Sequence, residues 1–405
     1  MEKKLILDVH EKPKPLAWIT LSAQHVLAMF GATVLVPMLT GLPVSLALIS
    51  SGIGTLFYLL VTKGKAPVYL GSSFAFISPI IAAMALGGQG AVTGGLVMAG
   101  IFYTVVAVII RFLGTDWINK LLPPIVVGPT IMVIGLYLAP IAINMANEHI
   151  AVALITLGAA IAVASFTKGL FQLLPVFFGI VAGYAAALVF GIVDYSHLSE
   201  VSLFVRPDFA IFKAVPVFNM DVAALFLPVA IVTITEHIGD VLLLNDIIGR
   251  DLTKKPGLHR TLIGDGVATL LAGLIGGPAN TTYGENIGVI GLTKVASVWV
   301  IGGAAAAAVV LGFFGPFTAL IQTIPTAVMG GVSILLFGII ATCGARVLIN
   351  ERVDVSSQRN LIIGSVILVI GVGNMGINLG PIELSGMAFA AIVGIILNQV
   401  LPDKK

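Results

Sequence analysis

The sequence predicts an all-α polytopic membrane protein of 14 transmembrane segments in a 7+7 inverted repeat. Segments 3 and 10 should carry short extended stretches. Three observations lead there. The 405 residues are 58% hydrophobic and only 10% charged, against about 25% charged in average soluble chains. Long runs without Asp, Glu, Lys or Arg reach the roughly 20 apolar residues a spanning helix needs. Four short sequence echoes recur seven segments apart. The same composition excludes a disordered chain, which would be poor in apolar residues. A net charge of +2 leaves no basic excess for nucleic acid. The single cysteine, Cys343, excludes an internal disulfide framework and a cysteine metal cluster.

Taken in order, residues 15–62 hold segments 1 and 2, broken at Thr40-Gly41-Leu42-Pro43. Residues 66–110 hold segments 3 and 4, broken at Gly87-Gly88-Gln89-Gly90. Segments 5, 6 and 7 occupy 121–147, 149–167 and 169–193. After a more polar loop, 222–245 is segment 8, interrupted by Glu236 and Asp240. Residues 261–293 give segment 9 and a short, broken segment 10 near Glu285. Segments 11 and 12 share 295–345, split near Gly315-Pro316, and 360–382 and 384–402 complete the set. With both termini in the cytoplasm, 19 of the 21 Lys and Arg fall inside, and only Arg206 and Lys213 fall outside. That asymmetry is the positive-inside pattern, and Trp18, Trp117 and Trp299 land near the cytoplasmic interface. The first apolar run is long enough to span, and no cleavable signal is expected.

The echoes define the repeat. Ser22-Ala23-Gln24-His25-Val26 is matched by Ile234-Thr235-Glu236-His237-Ile238, and Gly52-Ile53-Gly54-Thr55-Leu56 by Gly266-Val267-Ala268-Thr269-Leu270. Ser72-Ser73-Phe74-Ala75 is matched by Thr281-Thr282-Tyr283-Gly284, and Pro123, Val126 and Gly128 by Pro325, Val328 and Gly330. An offset of seven, being odd, inverts the second copy, as in secondary transporters that bind substrate at discontinuous helices near the midplane. Segments 3 and 10 are those discontinuous elements. Tyr69-Leu70-Gly71-Ser72-Ser73-Phe74 is β-prone, and Asn280-Thr281-Thr282-Tyr283-Gly284-Glu285-Asn286 is too polar to face lipid. The Asn280-Thr281-Thr282 sequon therefore reads as coincidence.

Three acids, Glu236, Asp240 and Glu285, fall well inside the membrane, where each costs roughly 2.5–3.5 kcal/mol on insertion scales. Glu236 and Asp240, four apart, share one helix face. His25, beside Gln24, reads as a supporting residue. His237 points about 100° away from Glu236 and reads as packing. Asp246 and Asp265 read as local caps or pairs, and Glu383 as the acid that opens segment 14. No His, Asp or Glu cluster has metal spacing, no nucleophile set supports an enzyme, and no cofactor is implied.

The run Glu285-Asn286-Ile287-Gly288-Val289-Ile290-Gly291-Leu292-Thr293-Lys294 fits the signature of the nucleobase–ascorbate transporter family (nucleobase:cation symporter-2). With Gly71-Ser72-Ser73-Phe74-Ala75-Phe76 and Glu236-His237-Ile238-Gly239, the chain resembles the bacterial uracil branch over nearly its whole length. Glu285, where purine-type members commonly carry Gln, favours uracil. The resemblance implies proton-coupled uracil import across the cytoplasmic membrane by movement of a core domain against a gate domain. It divides the chain into core 1–112 (segments 1–4), gate 113–200 (5–7), core 201–315 (8–11, after an extracellular loop) and gate 316–405 (12–14). It implies substrate contacts from Glu236 and Glu285, the backbone of Phe74 and Gly284, and nearby Tyr283. Asp240, Gln24, His25, Ser73, Asn286 and Phe337 would support binding or proton coupling. Two positions depart from the branch: Asp240 stands where a His is familiar, and Phe337 where a Tyr is. Implied partners are uracil, a proton and membrane lipid, with a homodimer through the gate domain as one open assembly. Xanthine or another nucleobase is the alternative substrate. An anion exchanger of the same fold is disfavoured by acids at both binding positions.

Overall fold

The computed structural model describes residues 5–114, 116–169, 171–195, 198, 201–378, 383–384 and 386–402. Lys3, Lys4, Lys404 and Lys405, counted above among the cytoplasmic cations, lie outside the described residues.

The chain is helical almost throughout. The first half contains α1 (Pro15–Thr40), α2 (Val44–Val61), strand β1 (Leu70–Ser72), a 3-10 turn (Phe74–Phe76) and α3 (Ile77–Leu113). It continues with α4 (Asp116–Leu121), α5 (Pro124–Tyr137), α6 (Ala139–Asn147), α7 (Ile150–Phe166) and α8 (Pro175–Val189). The second half contains α9 (Ala210–Lys213), α10 (Met220–Ile248), α11 (Leu258–Ile275), β2 (Asn280–Thr282) and α12 (Gly284–Thr293). Then come α13 (Val298–Phe313), α14 (Gly315–Gln322), α15 (Thr326–Asn350), α16 (Gln358–Val372), β3 (Ile377–Asn378), β4 (Glu383–Leu384) and α17 (Gly386–Val400). Among the described residues, seven helices are long and apolar enough to cross a membrane, and five more apolar helices are shorter. The protein is a multi-pass membrane protein.

Local chemistry sets the element ends. Pro15 and Pro124 open α1 and α5, where a missing N–H costs nothing. Asn219 caps α10 by accepting from Val222 N–H at 2.9 Å, with Asp221 in the first turn. Segments 3 and 4 run on as the single helix α3, yet Gly87 and Gly88 inside it are non-helical, and Gly88 has φ 61°. A break at that glycine pair was expected, and it takes the form of a kink rather than a loop. Glu383 does not open segment 14: it lies in the β3–β4 hairpin, and the helix begins at Gly386.

Two packing groups are evident. In one, α3 lies along α11 and α10, while α2 lies along α13 and α11, with α1 against α13. In the other, α15 packs on α5, α6 and α7, α7 on α8, and α16 on α17 and α5. The loop before α10 ties back to the first group: Val217 N–H donates to Gly90 O at 2.9 Å, and Val205 N–H to Phe313 O at 3.0 Å. At the end of the molecule holding the amino terminus, Trp18 Nε1 donates to Trp299 O at 2.6 Å, and Lys12 sits over both indoles at 5.2 and 5.1 Å. That is the aromatic anchoring expected at an interface.

Helices in lipid gain contact by close backbone approach at small residues. The α3–α11 seam uses it: a Cβ on Gly100 would stand 2.4 Å from Gly266 O. Gly100→Val is expected to wedge α3 from α11 and cost about 1–3 kcal/mol. Thermal unfolding in detergent checks this, and an unchanged midpoint would mean the seam tolerates separation.

Candidate functional site

The site grows from the two extended stretches. β1 and β2 pair antiparallel, Leu70 with Thr282, Gly71 with Thr281 and Ser72 with Asn280. Two flanking bonds lengthen the ladder, Ser73 N–H to Ala279 O at 2.9 Å and Tyr283 N–H to Tyr69 O at 3.0 Å. Each broken segment thus satisfies the other's backbone in the interior of the bundle. Beyond the ladder the chain turns helical on both sides, at Phe74 and at Gly284. Both helix starts lack a side-chain cap, so their N–H groups and positive dipole ends are available to a ligand.

Side chains behind the ladder hold it still. Tyr283 is 4% exposed. Its ring lies over Gly71, where a Cβ would meet it at 2.4 Å. Its hydroxyl donates to Ser72 O at 2.9 Å and accepts from Thr33 Oγ1 at 3.1 Å. The side chain of Tyr283 therefore clamps β1 to β2 in this conformation. Ser51 Oγ donates to Leu70 O at 2.6 Å, and Thr269 Oγ1 to Asn280 O at 2.7 Å. Asn280 is fully buried, which agrees with reading its sequon as coincidental.

A second buried cluster backs β2, and sequence reasoning missed it. Asp265 and His237 have fully buried side chains, with His237 Nδ1 3.0 Å from Asp265 Oδ2. Asp265 accepts from Thr282 N–H at 3.3 Å and from Thr282 Oγ1 at 3.1 Å. His237 Nδ1 also lies 2.8 Å from Thr282 Oγ1, and its Nε2 lies 3.0 Å from Thr261 Oγ1. Asp265 is no helix cap, and His237 does more than pack: together they fix the strand that ends at Thr282, just before α12 begins at Gly284. The available signal was an acid in the middle of an otherwise apolar helix, where only a buried partner can support it.

Glu236 and Asp240 lie on α10 and Glu285 in the first turn of α12. Glu236 and Glu285 are solvent-accessible and Asp240 is half-buried. A Cβ on Gly284 would meet only Asp240 Oδ1, at 3.8 Å, so α10 and α12 present their acids to one open space. Accessible acids halfway along a spanning helix mean a water-filled cleft, not a lipid face.

The supporting residues divide. Phe74 is half-buried and meets the buried Phe337 edge-on, centroids 6.0 Å apart, across the two packing groups. Ser73 is buried within the ladder's edge. Asn286 is fully buried and donates through Nδ2 to His25 O at 3.1 Å. The same nitrogen lies 3.0 Å from His25 Nδ1, so that ring nitrogen accepts and Nε2 carries the hydrogen. His25 thus couples α1 to α12. Gln24 is buried, and its Nε2 has no partner among the described residues. No group of three or more His, Cys, Asp or Glu among the described residues has metal-site geometry.

A model described as the Permease family matches residues 16–379. The chain belongs to that family. It is accordingly a member of the nucleobase:cation symporter-2 group, and a transporter rather than an enzyme. It is 52% identical to the uracil permease of Bacillus subtilis (strain 168), covering 100% of this chain and 97% of that one. It is 43% identical to the uracil permease of Escherichia coli (strain K12), covering 97% and 93%. Among solved structures, the transmembrane domain of the cyanobacterial bicarbonate transporter BicA matches with TM-score 0.62 at 14% identity, over 96% of this chain and 98% of that one. Murine Slc26a9, an anion transporter in the inward-facing state, matches with TM-score 0.68 at 12% identity, over 96% of this chain and 69% of that one. These two likenesses show a shared fold.

In this permease, Asp265→Ala would strand the Thr282 N–H and His237, at about 1–3 kcal/mol for each buried group left unsatisfied. The expected outcome is a lowered unfolding midpoint in detergent. A midpoint equal to that of the parent would remove the cluster's role in holding β2.

Proposed function

We propose that this permease imports uracil together with protons. One observation carries the reading: three carboxylates, two of them open to water, share a space midway through the bundle with the uncapped amino end of α12. Uracil offers N–H donors beside carbonyl acceptors. The carboxylates of Glu236 and Glu285 suit the first, and the N–H groups at Phe74 and Gly284 suit the second. The names of the relatives, uracil permeases at 43–52% identity, support the same substrate. The fold neighbours at 14% and 12% identity carry no argument for an anion substrate, and a space holding three acids would repel one.

In this reading the chain crosses the cytoplasmic membrane 14 times as two inverted repeats, with both termini inside. The core is 1–112 with 201–315, and the gate is 113–200 with 316–405. Support comes from the packing groups, from the ladder between β1 and β2, and from the basic residues gathered at one side. Protons enter on one or more of Glu236, Asp240 and Glu285 from outside and leave after the core has moved against the gate. Tyr283 acts through its backbone and its clamp. Lipid surrounds the bundle, and the gate is the surface through which a homodimer would form.

Glu236→Gln is expected to weaken uracil binding while leaving the fold intact. Losing a charge-assisted hydrogen bond costs about 1.5–3 kcal/mol, or roughly 10- to 150-fold in affinity. Calorimetric titration of the purified variant measures it, and parental affinity would sink the assignment.

The coupling has its own test. Uracil is neutral at pH 7, so each proton carried with it moves one charge inward. A potential contributes about 2.3 kcal/mol per charge per 100 mV, enough for roughly 50-fold accumulation. Uptake of labelled uracil into proteoliposomes is expected to be electrogenic, faster at acidic external pH and abolished by a protonophore. Uptake that follows an imposed sodium gradient and ignores the protonophore would overturn proton coupling and leave the binding site standing.

A further inference from the structure

We infer that the protein carries a phosphate-binding site on its basic face, separate from the cleft. Lys63 and Lys65 after α2, Arg111 near the end of α3, Lys255 before α11, and His259 and Arg260 in its first turn wall one cavity of about 360 Å³. Five permanent cations therefore surround a single hollow. Among the described residues no carboxylate pairs with any of the five, and no acid lines the hollow.

Several neighbouring cations on this face are compensated. Arg250 is 2.5 Å from Asp8, and Lys254 is 3.3 Å from Asp251, although both line an adjoining hollow of about 430 Å³. Lys12 stacks on two indoles. The positive-inside pattern explains why cations collect on this side. It does not explain why five of them turn into one concavity unpaired, while neighbours a few residues away hold carboxylates.

The helix beneath adds to the field. The first turn of α11 has no acid and no side-chain cap, and instead carries His259 and Arg260. Cations at a helix amino end oppose the macrodipole. The arrangement is self-repulsive when empty and balanced when an anion with several acceptor oxygens sits over it. A phosphate group has that form, and a hollow between helices at the basic interface is where lipid phosphates bind. The same chemistry admits the phosphodiester of an anionic lipid or a soluble phosphate. The walls come from the ends of α2 and α3 and from α11 with the loop before it, all within one packing group. Occupancy would therefore brace that group without touching the acids of the cleft.

The test uses the full chain, purified in neutral detergent and stripped of lipid. Unfolding midpoints are recorded with inorganic phosphate against chloride at matched ionic strength. A second arm compares short-chain phosphatidylglycerol with phosphatidylcholine. Parent protein is expected to gain stability from phosphate, from phosphatidylglycerol or from both. The variant Lys65→Gln/Arg111→Gln/Arg260→Gln should need at least about tenfold more ligand for the same gain. Lys168→Gln/Lys294→Gln, which removes basic charge elsewhere, should behave as parent. Stabilisation by phosphate, with phosphatidylglycerol competing, assigns soluble phosphates. Stabilisation by phosphatidylglycerol alone assigns the lipid headgroup. If the triple variant does not fold, Lys65→Gln alone, at an exposed position, should still weaken the response. No stabilisation of parent by either ligand, or a parental response in the cavity variants (the triple variant or Lys65→Gln), would overturn the site.

Discussion

The constraint on which everything else rests is that backbone at membrane depth must find hydrogen-bond partners within the protein. Two segments of this chain abandon helix in the interior, at Leu70–Ser72 and Asn280–Thr282, and each supplies what the other lacks. The pairing joins positions about 210 residues apart and fixes how the two halves meet. It also fixes where two helices begin. A spanning helix hides its free N–H groups at the membrane surface. A helix that starts at Gly284 exposes them in the middle of the bundle.

Keeping strands there demands a dense polar backing, and the protein builds it from small hydroxyls, a tyrosine clamp and a buried His–Asp pair. Ser51, Thr55 and Thr269 bond strand carbonyls or N–H groups, Tyr283 locks across Gly71, and Asp265 with His237 fixes Thr282. Each member is neutral or paired, so the cluster adds rigidity without an isolated charge. The acids left without such partners, Glu236 and Glu285, are the ones open to water. The acids thus differ in their company: Asp265 is enclosed by donors, whereas Glu236 and Glu285 are solvent-accessible.

Much of this was legible in the sequence, for physical reasons. Polar, β-prone residues inside apolar runs cannot face lipid, so the extended stretches near Gly71 and Thr281 could be read directly. Glu236, Asp240 and Glu285 declared themselves by their insertion cost. The kink at Gly87-Gly88 followed from glycine content. What could not be read was tertiary. Asp265 and His237 are 28 residues apart, and neither carries a local sign of the other. The resemblance implied Tyr283 near the substrate, and nothing local says which way its ring points. The ring lies over Gly71, and Gly284 is accessible while Tyr283 is in the core. Glu383 was expected at a helix start by composition alone, and the hairpin that claims it arises from pairing with Asn378.

The architecture also says where movement is cheap. The ladder, its hydroxyl backing and the His–Asp pair involve elements of one packing group, tied by bonds that would each cost energy to break. Contacts between the two groups are of another kind. Phe74 meets Phe337, and Phe30 meets Phe177 with centroids 5.9 Å apart, both edge-on between apolar rings. Aromatic and aliphatic surfaces can slide without stranding a donor or an acceptor, whereas a polar network resists small displacements. Hydrogen bonds are thus concentrated within one group, and the contacts between groups are apolar. Phe337, which meets Phe74 edge-on, adds no polar tie to that apolar contact.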